Sequence, residues 1–293
     1  MLKKNQALIR SIGLSICLIV ASCSSAPKTP PQSLVLRNEA GRMVQLGAKA
    51  LREGQLDAAR GYYTEAYRIF TYVDEPEGRI RALDGLGRLP GTEFDAWAYA
   101  VTIAEYSESP ALMGLASLLD IERRLFNDFE PNWIELEQRA VTAVSQLQSR
   151  PTDKARALRL LGTIYKNSGK YPDAEKTFLA AIDIDMKNKS YIELASDYYL
   201  IGSVYSKQGN YEQAVKMLYS ALEYDRKAEN GSGIGADYVA LGVIAEKKGD
   251  LAAAQRHYSK AYDVFVAGRL KAQIEDVKER LAKVAQKKDG NME

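Results

Sequence analysis

Leu161-Gly162, then Tyr165, Gly169, Tyr171, Ala174, Phe178 and Ala181, is a pattern that returns 40 residues later from Ile201-Gly202 and again from Leu241-Gly242. The turn glycine falls at Gly169, Gly209 and Gly249, and the small residues at Ala174, Ala214, Ala254 and at Ala181, Ala221, Ala261. A fixed period of this length means that each unit is one helix pair, unable to bury its apolar face alone, so that neighbours stack into a solenoid. Outward from this block, the pattern recurs at Leu46-Gly47, Gly54, Leu56, Ala59, Tyr63 and Ala66, and Leu86-Gly87 lies one period further on. Gly87 and Gly162 are 75 residues apart, five short of two periods. A degenerate unit is therefore placed at 108–150, with helices over 111–125 and 133–147, and Pro90-Gly91 is read as interrupting the middle of a first helix.

Each signature residue has a physical reason. Gly162, Gly202 and Gly242, with Ala174, Ala214 and Ala254, fall where the two helices of a pair cross, and small residues there let the backbones approach. Tyr165, Tyr205, Tyr171 and Phe178 are large side chains at helical spacing that fill the space between pairs, each phenol needing a polar partner or a route to solvent. Gly169 stands where a first helix ends and supplies the positive φ of a tight turn. Pro172 follows at a first-turn position, where its missing N–H is no loss.

This set of residues resembles the tetratricopeptide repeat, over roughly 38–265, in a longer form than the usual 34-residue period. The resemblance implies an all-α solenoid of stacked antiparallel helix pairs whose first helices line an inner groove that binds peptide segments. Counting helix positions from Ala155, Ala195 and Gly235, it assigns groove roles to Arg156, Arg159, Thr163, Lys166 and Asn167; to Ser196, Tyr199, Ser203, Ser206 and Lys207; and to Ala236, Val239, Val243, Glu246 and Lys247. Arg156, Arg159 and Lys166 are expected to meet carboxylates of a bound segment, Tyr199 to offer an aromatic platform, and Val239 with Val243 to receive an apolar side chain.

The amino terminus carries a second signal. Lys3, Lys4 and Arg10 precede an apolar run over 11–22 that is too short to span a bilayer. Val20-Ala21-Ser22-Cys23 is similar to the bacterial lipobox, which implies cleavage before Cys23 and acylation of that cysteine. Cys17 would leave with the leader, so the exported chain holds no internal disulfide. Ser24 resembles the second residue of lipoproteins released to the outer membrane. The chain thus divides into a leader (1–22), a lipidated cysteine with a Pro- and Ser-rich tether (23–36), partly degenerate units (37–150), three regular units (151–266) and a capping helix with tail (267–293). The cap is read over 270–287, where Ile274, Val277, Leu281 and Val284 keep helical spacing and cover the apolar end of the stack.

Charge and chemistry narrow the function. Of 40 Lys+Arg and 38 Asp+Glu, three cations and no anion lie in 1–22, leaving a near-neutral chain with no field to attract nucleic acid. The single histidine, His257, makes no metal site alone, and nothing around it supplies a nucleophile or paired carboxylates. Gly231-Ser232-Gly233-Ile234-Gly235 lacks the preceding strand of a nucleotide loop and reads as a link between repeats. The expectation is a non-enzymatic scaffold without cofactor or metal, held to the envelope membrane only through its lipid, that binds another envelope protein or peptide segment. The alternative is an accessory lipoprotein enclosing a small apolar solute for a transport system.

Overall fold

The computed structural model describes residues 32–92, 95–127 and 131–290. The leader, Cys23 and most of the tether lie outside them. Within them the chain is all helical: α1 (Gln32–Arg52), α2 (Leu56–Tyr72), α3 (Pro76–Gly87), α4 (Ala96–Tyr106), α5 (Pro110–Asn127), α6 (Trp133–Gln146), α7 (Pro151–Asn167), α8 (Tyr171–Asn188), α9 (Tyr191–Lys207), α10 (Tyr211–Lys227), α11 (Gly231–Lys247), α12 (Leu251–Ala267) and α13 (Lys271–Gly290). Each helix packs on the next, giving six stacked pairs and a terminal helix against α12. Residues 32–36, assigned to the tether by composition, form the start of α1.

In the regular block the helices are 17 or 18 residues long and the connections two or three, which accounts for the 40-residue period. The extra length over a 34-residue repeat therefore lies in the helices, and each first helix starts four residues ahead of the positions counted from Ala155, Ala195 and Gly235. The turn within each pair passes through a glycine at positive φ, as at Gly169 (φ 76°) and Gly249 (φ 78°). Side-chain caps at Asn210, Asn230 and Asp250 satisfy free N–H groups at the starts of α10, α11 and α12.

The irregular region is where sequence spacing misleads. The degenerate unit is the expected pair, α5 and α6, but the missing residues belong one unit earlier. There α3 and α4 are only 12 and 11 residues long, and Pro90-Gly91 sits in the connection between them, with Gly91 at φ 69°. Gly231, Gly233 and Gly235 are likewise not a linker. They lie in the first turns of α11, where a Cβ at Gly233 would meet the Asp225 carboxylate and one at Gly235 the Phe265 ring.

The pair interface is built from a glycine and a large side chain 16 residues on. A Cβ at Gly162 would lie 2.6 Å from the Phe178 ring, at Gly242 2.5 Å from the Tyr258 ring and at Gly47 2.9 Å from the Tyr63 ring. The glycines thus make room for a ring more than for a bare backbone; only at Gly202 do a backbone carbonyl, that of Ala214, and Leu218 share the contact. Ala174, Ala214 and Ala254 are completely buried at the same joints. Tyr258 donates to Glu246 at 2.6 Å and Tyr205 to Glu175 at 2.5 Å, which supplies the polar partner each phenol requires. Val277 and Val284 of α13 are fully buried in the cluster that holds Tyr258, Ala261 and Phe265. The last helix closes the stack.

Candidate functional site: the inner face of the first helices

From α1 through α11, the first helices of successive units pack closely on one another, while second helices pack closely only on their sequence neighbours and reach one another at most through a long side chain, as Tyr224 of α10 does to Met186 of α8. The first helices therefore form the narrower, inner side. Two open clefts lie along it.

The amino-terminal cleft, about 570 Å³, is lined by α1, α3, α5, α7 and the start of α9. Most of the charges in and beside it are paired within the protein. Arg150 of the α6–α7 connection grips Glu77 at 2.6 and 2.7 Å, Arg81 reaches Asp153 at 2.7 Å, and Arg156 lies 2.7 Å from Glu122 and 3.4 Å from Asp84. Arg88 joins the same group through Asp84 and Glu122. These pairs run from α3 to α7 across α5. The hydrogen bonds from Arg150 hold the Glu77 carboxyl down to about 2.

Arg159 is also committed within the protein. Its guanidinium lies 2.9 Å from Asp185 and 3.0 Å from Asp197, two carboxylates with no solvent exposure. Arg156 and Arg159, expected to present charge to a bound segment, line the amino-terminal cleft and at the same time join helices through these bonds. These charge-assisted bonds engage Nε and Nη2 of each guanidinium and fix its position on the wall of the amino-terminal cleft. Lys166 and Asn167 line neither cleft. Burial, and then the nearby Lys207, push the Lys166 ammonium down.

The second cleft, about 310 Å³, brings together Tyr199, Ser203, Ser206 and Lys207 of α9 with Val239, Val243 and Lys247 of α11, all given groove roles by the resemblance. Counting helix positions missed five contributors, among them Ala240 of α11. Gly202 was read as a packing residue only, Leu218 comes from α10, Ile244 is a core residue of α11, and Arg280 reaches in from the terminal helix. Arg280 carried no signal of this role, because nothing in its own helix places it beside α9. Leu218, Val239, Val243 and Ile244 make an apolar floor, and Ser203 and Ser206 add hydroxyls. Tyr199 lies close enough to Asp237 for that carboxyl, after burial, to push its phenol up.

His257 is half-buried, with its ring 6.2 Å from that of Tyr238 in a stacked arrangement. Burial, then Lys260 and Arg256, push the imidazole down. Among the described residues no three His, Cys, Asp or Glu side chains are grouped to hold a metal ion, and no helix is long and apolar enough to cross a membrane.

Known proteins place this arrangement. Residues 157–190 and 193–265 match sequence models of the tetratricopeptide repeat, so the regular block is built of such repeats. No curated protein matches the chain in sequence. Among solved structures, the apo form of RapI is similar over 86% of this chain and 72% of its own, with a TM-score of 0.63 at 12% identity. A Rap protein complexed with competence and sporulation factor is similar over 87% and 79%, with a TM-score of 0.55 at 17% identity. Aspartyl phosphate phosphatase F from Bacillus subtilis gives 0.55 at 16% identity over 87% of this chain and 72% of its own. At these identities the likeness is one of fold: an all-α, tetratricopeptide-type solenoid, suited to protein–protein interaction.

Proposed function

We propose that this chain is a non-catalytic binding scaffold, exported and held to a bacterial envelope membrane, the outer one facing the periplasm, by acylation of Cys23, and that it captures a segment of another envelope protein on the inner face of α9 and α11. One observation carries the binding half of this reading: the second cleft gathers Tyr199, Ser203, Lys207, Val239, Val243 and Lys247 from helices of adjacent units, and none of these makes an ion pair that fills the cleft. The Rap protein complexed with competence and sporulation factor lends support, since there a solenoid of similar fold holds a partner. Both clefts are open and bear charge, which favours a scaffold over a container for an apolar solute. The anchoring half rests on the Lys3-to-Cys23 pattern.

The test is a photocrosslinking residue placed at Val243 in cells, with Tyr72, exposed on a second helix, as control. A discrete crosslinked partner from Val243 and none from Tyr72 is expected. Equal crosslinking from both positions would remove the groove assignment, and failure of Cys23 to incorporate labelled palmitate would remove the anchor.

A further inference from the structure

The two clefts differ in charge as well as size. In the amino-terminal cleft, Asp84, Glu122, Asp153 and Glu193 stand among the arginines. In the second, none of the lining residues is Asp or Glu, while Lys207, Lys247 and Arg280 all contribute cations. Arg280 is paired with Asp276 outside the cleft at 2.8 Å. Among the described residues neither Lys207 nor Lys247 meets a carboxylate; Lys247 donates to the Ser206 hydroxyl at 3.1 Å. Cations gathered in a cleft without an anion repel one another, and an entering carboxylate relieves that repulsion. Between these charges lies the floor of Leu218, Val239, Val243 and Ile244, kept low on one side by the absence of a side chain at Gly202.

We propose that the occupant of this cleft is an acidic peptide segment with a bulky apolar side chain between its carboxylates. The apolar side chain lies on Val239 and Val243, and the flanking carboxylates meet Lys207 and Lys247. The volume, at the low end for ligand sites, admits one or two side chains and not the surface of a folded domain, so the partner contributes an extended segment. This inference rests on the scaffold reading and adds the chemistry of the partner to it.

Fluorescence anisotropy of the full chain with labelled acetyl-Glu-Glu-Leu-Phe-Glu-Glu-amide tests it. Saturable binding is expected, weakened about tenfold or more in the Lys207→Glu, Lys247→Glu double variant, and weakened again as salt rises from about 50 to about 500 mM. Counterparts with Gln for every Glu, or with Gly-Gly for Leu-Phe, should bind about tenfold more weakly. Both lysines are exposed, and an unchanged circular dichroism spectrum will show that the variant folds. Absent saturation, equal affinity for a Lys-Lys-Leu-Phe-Lys-Lys peptide, indifference to the double substitution, or tighter binding of dodecanoate than of the peptide would each overturn the proposal. Persistence of the Val243 crosslink under any of those outcomes would leave the scaffold intact with a different occupant; loss of that crosslink would remove both.

Discussion

A methyl group added at Gly162 would sit inside the van der Waals envelope of Phe178, a ring with no solvent exposure. Gly162→Ala should therefore cost about 1–3 kcal/mol, read as a lower denaturation midpoint. Gly61 is the control, because it lies in the middle of α2 with nothing within 4 Å of its would-be Cβ and an ordinary backbone. There alanine should raise stability by about 0.4–1 kcal/mol through the unfolded chain. Both glycines are plain in the sequence, yet only Gly162 belongs to a repeating pattern, and that difference foretells the sign. What the pattern leaves out is the atom that fills the space: Gly162 and Phe178 both recur at the period, but their contact depends on the rotation of one helix against another. A one-dimensional spacing does not hold that angle.

Between helices, the buried aspartates carry the argument. Asp185 and Asp197 face each other across α8 and α9, and Asp225 and Asp237 repeat the arrangement 40 residues on across α10 and α11, all fully or nearly fully buried. The first joint contains Arg159; at the equivalent place the second has Tyr199. Removing Arg159 leaves two carboxylates without a cation, so Arg159→Ala should destabilise by about 3–5 kcal/mol, and charge reversal there would disrupt the core before it tested any groove. At the second joint Asp237, 1% exposed, is pushed up to about 8, first by burial and then by Asp225. Its folded pKa lies above its unfolded value of about 3.8, so the folded state holds the extra proton and this contribution is complete below that value. The thermal midpoint should therefore fall as pH rises from about 4 to about 8, and Asp237→Asn should make that slope shallower. Asp197, pushed up to about 8 mainly by burial, adds to the slope in the parent protein and keeps part of it in the variant. Position counting along a single helix assigned Arg159 to the groove because its partners lie 26 and 38 residues away on other helices. A signal was present: aspartates recurring at the repeat period amid apolar neighbours are unlike solvated charges, and they call for a buried partner.

Across the whole molecule, the two ends of the inner face are held differently. The amino-terminal half is closed by Arg150–Glu77, Arg81–Asp153 and Arg156–Glu122, whereas the carboxy-terminal half relies on an apolar cluster continuing into α13. The Glu77 carboxyl, held at about 2 against an ordinary 4.5, contributes stability that is present above the ordinary value and lost as pH falls toward 2. Removing α13 by truncation after Gly268 should expose Tyr258, Ala261 and Phe265, lower the thermal midpoint and promote self-association, which sedimentation velocity would report. Seven residues lining the second cleft were placed on the inner face by the resemblance, and the all-α stack and its cap were legible from periodicity, because a 40-residue translation carries each position onto its equivalent. The short unit at α3 and α4 was not, because a five-residue deficit spread over two periods does not reveal which one is shortened. Equivalence of the later joints has a consequence for how such a chain gains and loses length. Excising 191–230 would splice Ser190 to Gly231 and bring Asp237 opposite Asp185, with Arg159 beside both. The shortened chain inherits the cation-containing joint and discards the cation-free one, so a deletion of one whole module should yield a folded protein whose alkaline sensitivity is reduced: a route by which gene duplication, run backwards, prunes the rod without tearing it.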